Sequence, residues 1–93
     1  MSRPAHALWI ERAEYDLETA AAMVKTARYI YAVFMCQQAF EKAFKALLAY
    51  KGREVPPIHN LRRLAEMTDA ISALDPGDQR KLDFLSQYYL NAR

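Results

Sequence analysis

Apolar residues recur at steps of three and four near the start of the chain. Trp9, Ala13, Leu17, Ala20, Val24 and Ala27 fall on one face of a helix running from Pro4 to about Lys25, while Glu11, Glu14, Glu18 and Lys25 take the other. Pro4 suits its first turn, where no amide hydrogen bond is lost. A second helix runs from about Tyr29 to Tyr50 and ends at Gly52, which favours the left-handed conformation that closes a helix. Arg53 to Pro57 is a loop, because Pro56 and Pro57 remove two donors and push Val55 out of helical geometry. Ile58, Leu61, Leu64, Ala65 and Thr68 mark a shorter third helix entered near His59 and Asn60. Asp75-Pro76 opens a fourth, with Leu82, Leu85 and Tyr89 on one side. No alternating strand pattern occurs. The pattern predicts an all-α, up-and-down bundle. At its centre stands a long antiparallel hairpin, because a connection of about three residues between the two long helices permits little else.

Two places break this division of apolar and polar faces. Asp16 projects at nearly the angle of Trp9 and Ala20, inside the apolar stripe, where a carboxylate needs a partner from another helix. In Val33 to Leu48, Gln38, Glu41, Lys42 and Lys45 share one stripe, and Val33, Phe40, Ala43, Phe44 and Leu47 take the opposite side. Tyr31, Phe34, Leu48 and Ala49 continue the polar stripe at nearly the same angles, so the polar group is an island. Two readings stand side by side. Glu41 and Lys45, four apart, form an exposed helix pair contributing about 0.3 to 0.5 kcal/mol; or the island is a buried network in which Asp16 meets Lys42 or Lys45. A buried charged network is often no more stable than an apolar replacement, so specificity or a ligand is then the reason to keep it. On the second reading Asp16, Gln38, Glu41, Lys45 and His59 line one polar pocket.

Composition narrows the classes. The 93 residues make one domain, with about half hydrophobic and a quarter charged. A net charge of +2 is too small to argue for nucleic acid without clustering of Lys and Arg. The single cysteine, Cys36, lies on the apolar side of its helix with no neighbouring base, and reads as a buried thiol rather than a nucleophile. With two histidines, no metal-ligand spacing and no glycine-rich phosphate loop, neither a metal nor a cofactor is expected. The N-terminus lacks a signal-peptide core and no run of 18 apolar residues exists, so no membrane association and a cytoplasmic location are expected. Of the six tyrosines, Tyr29 and Tyr31 near Lys25 and Arg28, or Tyr88 and Tyr89 near Arg93, are placed to stack bases. Short bundles more often use tyrosines as packing rings with outward hydroxyls. Phe84, Tyr88 and Leu90 lie off the Leu82 side, where a partner surface would cover them.

His59 stands at a helix entrance. There it either caps free amides together with Asn60, or joins Lys45 and Arg62 or Arg63 in holding a phosphate. Trp9 with Ala13 and Asp16-Leu17, then Cys36-Gln37-Gln38-Ala39, Glu41-Lys42-Ala43 and Lys45-Ala46-Leu47-Leu48, then His59-Asn60-Leu61 with Leu64, and finally Tyr89 to Arg93, resemble the HEPN family over nearly the whole chain. The resemblance implies a single HEPN-like domain over 1–93, a bundle of four or five helices and a homodimer. It also implies a minimal nucleotidyltransferase as partner, and nucleotide or RNA as ligand. The candidate contacts are the polar-pocket residues Asp16, Gln38, Glu41, Lys45 and His59, together with Arg93. Some members are ribonuclease toxins that use a late Arg, a polar residue and a His four to six positions after the Arg. Arg93 is the last residue here, so this motif is incomplete and the chain reads as stopping inside it. Arg53 to His59 has the formal spacing, but Glu54 and two prolines interrupt it. A ribonuclease toxin and a purely structural dimerisation module are the alternatives, and catalysis is left open.

Overall fold

The computed structural model describes residues 3–91. It comprises α1 (Ala5–Lys25), α2 (Tyr29–Tyr50), α3 (Leu61–Met67), a short 3-10 turn (Ala70–Ala73) and α4 (Pro76–Asn91). Among the described residues there is no strand, and the all-α bundle is as the periodicity predicts. No described helix is long and apolar enough to cross a membrane.

α1 and α2 are antiparallel. His6 meets Tyr50, Trp9 meets Lys45 and Asp16 meets Lys42, so position falls on one helix as it rises on the other. Their seam is made of alanines. Ala13, Ala20, Ala32, Ala39 and Ala46 are all buried, and their small side chains let the helices approach closely. The turn between them is a Schellman closure. The Arg28 amide donates to the Met23 carbonyl at 2.8 Å, the Ala27 amide donates to the Val24 carbonyl, and Ala27 sits at φ 60°. α2 ends in the same way, with Gly52 at φ 72° and the Arg53 amide on the Leu48 carbonyl.

α3 and α4 cover the other side of α2. Leu61, Ala65 and Leu82 form the core there, packed against Phe44, Ile71, Leu74 and Leu85, with Leu48 and Leu64 fully buried beside them. Asn60 caps α3 by accepting the Arg63 amide at 2.9 Å, and Asp75 accepts the Asp78 amide at 2.8 Å at the start of α4. The Ser86 hydroxyl accepts the Leu61 amide at 2.9 Å and donates to the Leu82 carbonyl, tying α3 to α4. α2 is therefore the hub, packing against α1, α3 and α4 among the described residues.

The molecule measures 22 Å along its shortest axis, about two helix diameters. A plate this thin leaves one side of each helix uncovered. Hence Leu17, Val24 and Phe40, on faces that periodicity alone marks as apolar, are 57%, 53% and 44% exposed. In α2 the expected inside and outside are partly exchanged: Phe40 faces out, while Glu41 and Lys45 are buried.

Candidate functional site

The polar island is buried, and Glu41 is its centre. Its Oε1 accepts from Gln37 Nε2 at 3.1 Å and from His59 Nδ1 at 2.9 Å, and its Oε2 accepts from Lys45 Nζ at 2.9 Å. Lys45 lies over the Trp9 ring at 5.8 Å from its centroid. Gln37 also donates to the His59 carbonyl at 3.1 Å, which pins the loop before α3 to α2. Behind His59 the Tyr89 ring stacks at 3.9 Å between centroids and 16° between planes. Residues of α2 and the α2–α3 loop thus converge on one carboxylate, and rings from α1 and α4 back two of its partners.

Electrostatics fix the protonation pattern. Burial by itself would raise the Glu41 pKa. Hydrogen bonds from Lys45, Gln37 and His59, reinforced by the Lys45 charge, outweigh it and hold the carboxyl below its ordinary value. An ionised carboxylate only accepts, so the proton of a neutral His59 sits on Nδ1 and Nε2 is left to accept or, when charged, to donate. The His59 side chain is 40% exposed and lines a cleft of about 190 Å³ with Asn60, Ser86 and Tyr89. A histidine held by a buried carboxylate at the edge of a cleft is suited to proton transfer or to holding a phosphate oxygen. Lys45 differs. It is buried and already paired, so no ligand reaches it without breaking the network.

Asp16 is buried and pairs with Lys42 rather than Lys45, forming a second ion pair on the α1–α2 seam. Gln38 is half-buried and donates to Gln37 Oε1 at 2.7 Å, outside the shell that touches Glu41. Glu41, Lys45 and His59 are brought together; Asp16 lies beside them in its own cleft with Lys42. Arg93 lies outside the described residues. At α3 the cap is Asn60, while the His59 ring turns to Glu41. Arg62 is committed to Asp83 through two 2.8 Å hydrogen bonds. Cys36 is half-buried, and burial pushes its thiol pKa up, as an inert thiol requires. Among the described residues no three metal-ligating side chains converge.

Gln37 is the site residue that the helical stripe leaves out. It is fully buried and bridges Glu41 to the His59 backbone, although it sits off the Gln38 stripe. Its spacing of four from Glu41 was the available signal. Tyr89 reads from periodicity as a core residue, and its stacking on His59 depends on how α4 docks.

A helical hairpin closed by two shorter helices around a buried, fully paired polar cluster defines a small polar-centred α-helical bundle. Within that class the chain belongs to the HEPN domain family, whose pattern matches residues 6–93. It is also similar to a Methanocaldococcus jannaschii protein named "Putative toxin MJ1304", with 49% identity over 45 residues. That match covers 48% of this chain and 30% of that relative, so the chain spans under a third of its length. No solved structure matches the chain.

Proposed function

We propose that this HEPN-family chain binds nucleotide or RNA at the His59 cleft, works as a homodimer and serves a minimal nucleotidyltransferase partner. The observation that carries the ligand reading is the Glu41–His59–Tyr89 arrangement. A buried carboxylate orients the imidazole, an aromatic ring fixes its plane, and Nε2 remains for an incoming oxygen. The exposed flank bearing Ile10, Leu17 and Phe40 supports the dimer, because a two-layer plate leaves it uncovered. The partner rests on family membership.

The test is a titration of labelled single-stranded RNA and of ATP against wild type and His59→Asn, followed by anisotropy and calorimetry. Weakening of at least tenfold in the variant is expected. Equal affinity for both proteins, or none for either, sinks the ligand reading. Sedimentation of the free protein tests the dimer, and a monomer at micromolar concentration rejects it.

Similarity to a protein named as a toxin favours a second reading, a ribonuclease toxin. In it His59 Nε2, with the ring oriented by Glu41, takes the proton of the RNA 2′-hydroxyl as its oxygen bonds to the adjacent phosphorus, and the bond from phosphorus to the 5′-oxygen breaks, that oxygen leaving as a hydroxyl protonated by solvent. No RNA cleavage by the wild type would rule this reading out, and cleavage that persists unchanged in His59→Asn would remove His59 from its chemistry.

A further inference from the structure

The two flanks of α1 differ in chemistry. One carries Ile10 and Leu17 beside Phe40 and Ala43, and is apolar. The other carries Leu8, Trp9, Arg12 and Tyr15, and with Lys42 of α2 it lines two clefts of about 190 and 290 Å³. These clefts adjoin at Arg12, which lines both, and lie in line along this flank of α1 as a trough in two parts. The stretch from Leu8 to Asp16 spans about 12 Å of helix, space for a short run of bases at roughly 3.4 Å per stacked nucleotide.

Charge within the trough is unevenly compensated. Asp16 is neutralised by Lys42, and Glu11 by Arg3. Arg12 has no hydrogen bond or ion pair among the described residues and is exposed. Trp9 is half-buried with Lys45 held over its ring, while Tyr15 is 69% exposed. Aromatic rings flanking an unpaired guanidinium, with a second cation only partly covered, match a ligand that is alternately aromatic and anionic. We infer that this trough is a binding surface for single-stranded RNA, in which bases stack on Trp9 and Tyr15 and a phosphate sits between Arg12 and Lys42. The inference deepens the nucleotide-or-RNA reading by giving the strand a surface beyond the His59 cleft. Arg12 can make a bidentate contact to phosphate, and Lys42 shares its ammonium between Asp16 and the strand.

Trp9 is the single tryptophan of the chain, so its fluorescence reports the trough directly. Titration with an unlabelled 12-nucleotide single-stranded RNA should quench it. Arg12→Glu should weaken the quenching interaction at least tenfold, and Tyr15→Ala at least about fivefold, the lower end of one lost base stack. Arg12→Ala should lower the salt slope of log K by about 0.7, one phosphate contact. Both positions are exposed, and circular dichroism checks that the variants fold. His59→Asn should weaken the affinity as the cleft reading expects, yet leave the amplitude of the Trp9 quench at saturation in place. Anisotropy of labelled RNA separates the two proposals: binding that requires His59 but leaves Trp9 unquenched, or is unchanged by Arg12→Glu, overturns the trough and spares the cleft. Quenching that depends on Arg12 but not on His59 does the reverse. Equal affinity for AMP and the 12-nucleotide strand would overturn the extended surface, and no binding of either overturns the trough and the ligand reading together.

Discussion

Replacing Glu41 or Lys45 by methionine keeps roughly the shape of each side chain and removes one charge of a pair that is 95% buried on both sides. Glu41→Met leaves the Lys45 ammonium with only the Trp9 ring, and strips His59 Nδ1 of its acceptor. Lys45→Met leaves a buried carboxylate with Gln37 and His59 alone. Breaking a buried pair from one side costs about 3–5 kcal/mol, because the surviving charge cannot be hydrated. A domain of this size holds about 5–15 kcal/mol in total. Each single variant should therefore lose at least about 12 °C in Tm, at roughly 4–8 °C per kcal/mol. The double variant leaves no orphan charge, so its loss should fall short of the summed singles by about 2 kcal/mol or more. Urea unfolding followed by circular dichroism gives all four corners of the cycle. Additivity within about 0.5 kcal/mol, or single losses below about 1 kcal/mol, would show that the island is a solvated surface pair and that the argument from burial fails.

Three further outcomes follow from the same contacts. The Glu41 pKa is depressed in the folded state, so its stabilisation is complete above the ordinary glutamate value near 4.3 and is lost as pH falls through the lower folded value; the stability gap between wild type and Glu41→Gln, measured by urea melts, should be flat above about pH 5.5 and narrow below about 4.3, and a gap that widens with acid contradicts this. Ser86→Ala should cost about 1–3 kcal/mol by stranding the buried Leu61 amide, with faster hydrogen exchange at that amide, and unchanged exchange would place another acceptor there. Ala27→Gly should stabilise by about 0.5–1 kcal/mol, since the left-handed backbone costs alanine about 1–2 kcal/mol and glycine returns only part of that through the unfolded chain; a loss of stability in a thermal melt would argue against the φ of 60°.

Much of the fold is legible from residue order because strong local signals mark its boundaries. α2 begins and ends at Tyr29 and Tyr50, as read, since Gly52 supplies the left-handed closure. α4 opens after Asp75 for the same kind of reason. The 3-10 turn at Ala70–Ala73 has no such signal: Asp69, without glycine's freedom, takes the left-handed position before it. The buried island is legible as an anomaly of periodicity, and Asp16 as a carboxylate in need of a cation. Which cation it finds is not. Lys42 and Lys45 lie less than one turn apart on α2, and only the closeness of the alanine seam and the register of α1 decide between them. Gln37 and Tyr89 depend likewise on tertiary docking, the first on the path of the loop at His59 and the second on α4. The exposed Phe40 misleads for a third reason, because periodicity marks an apolar face without saying whether a second layer covers it.

The burial of Glu41 and Lys45 relocates the chemistry open to a ligand. A charged pair that satisfies itself inside the bundle contributes little net stability over an apolar pair, but it fixes geometry: Glu41 sets the tautomer and plane of His59, and Lys45 holds the back of Trp9. Each buried charge thus supports an aromatic group nearer the surface. The groups that meet a ligand without rearrangement are the imidazole at one side of the network and Arg12 with Tyr15 beyond Trp9 at the other. A substitution in the pair should therefore disturb both surfaces at once, whereas one at either rim should disturb its own. That difference in reach separates the residues that position the site from those that touch what it binds.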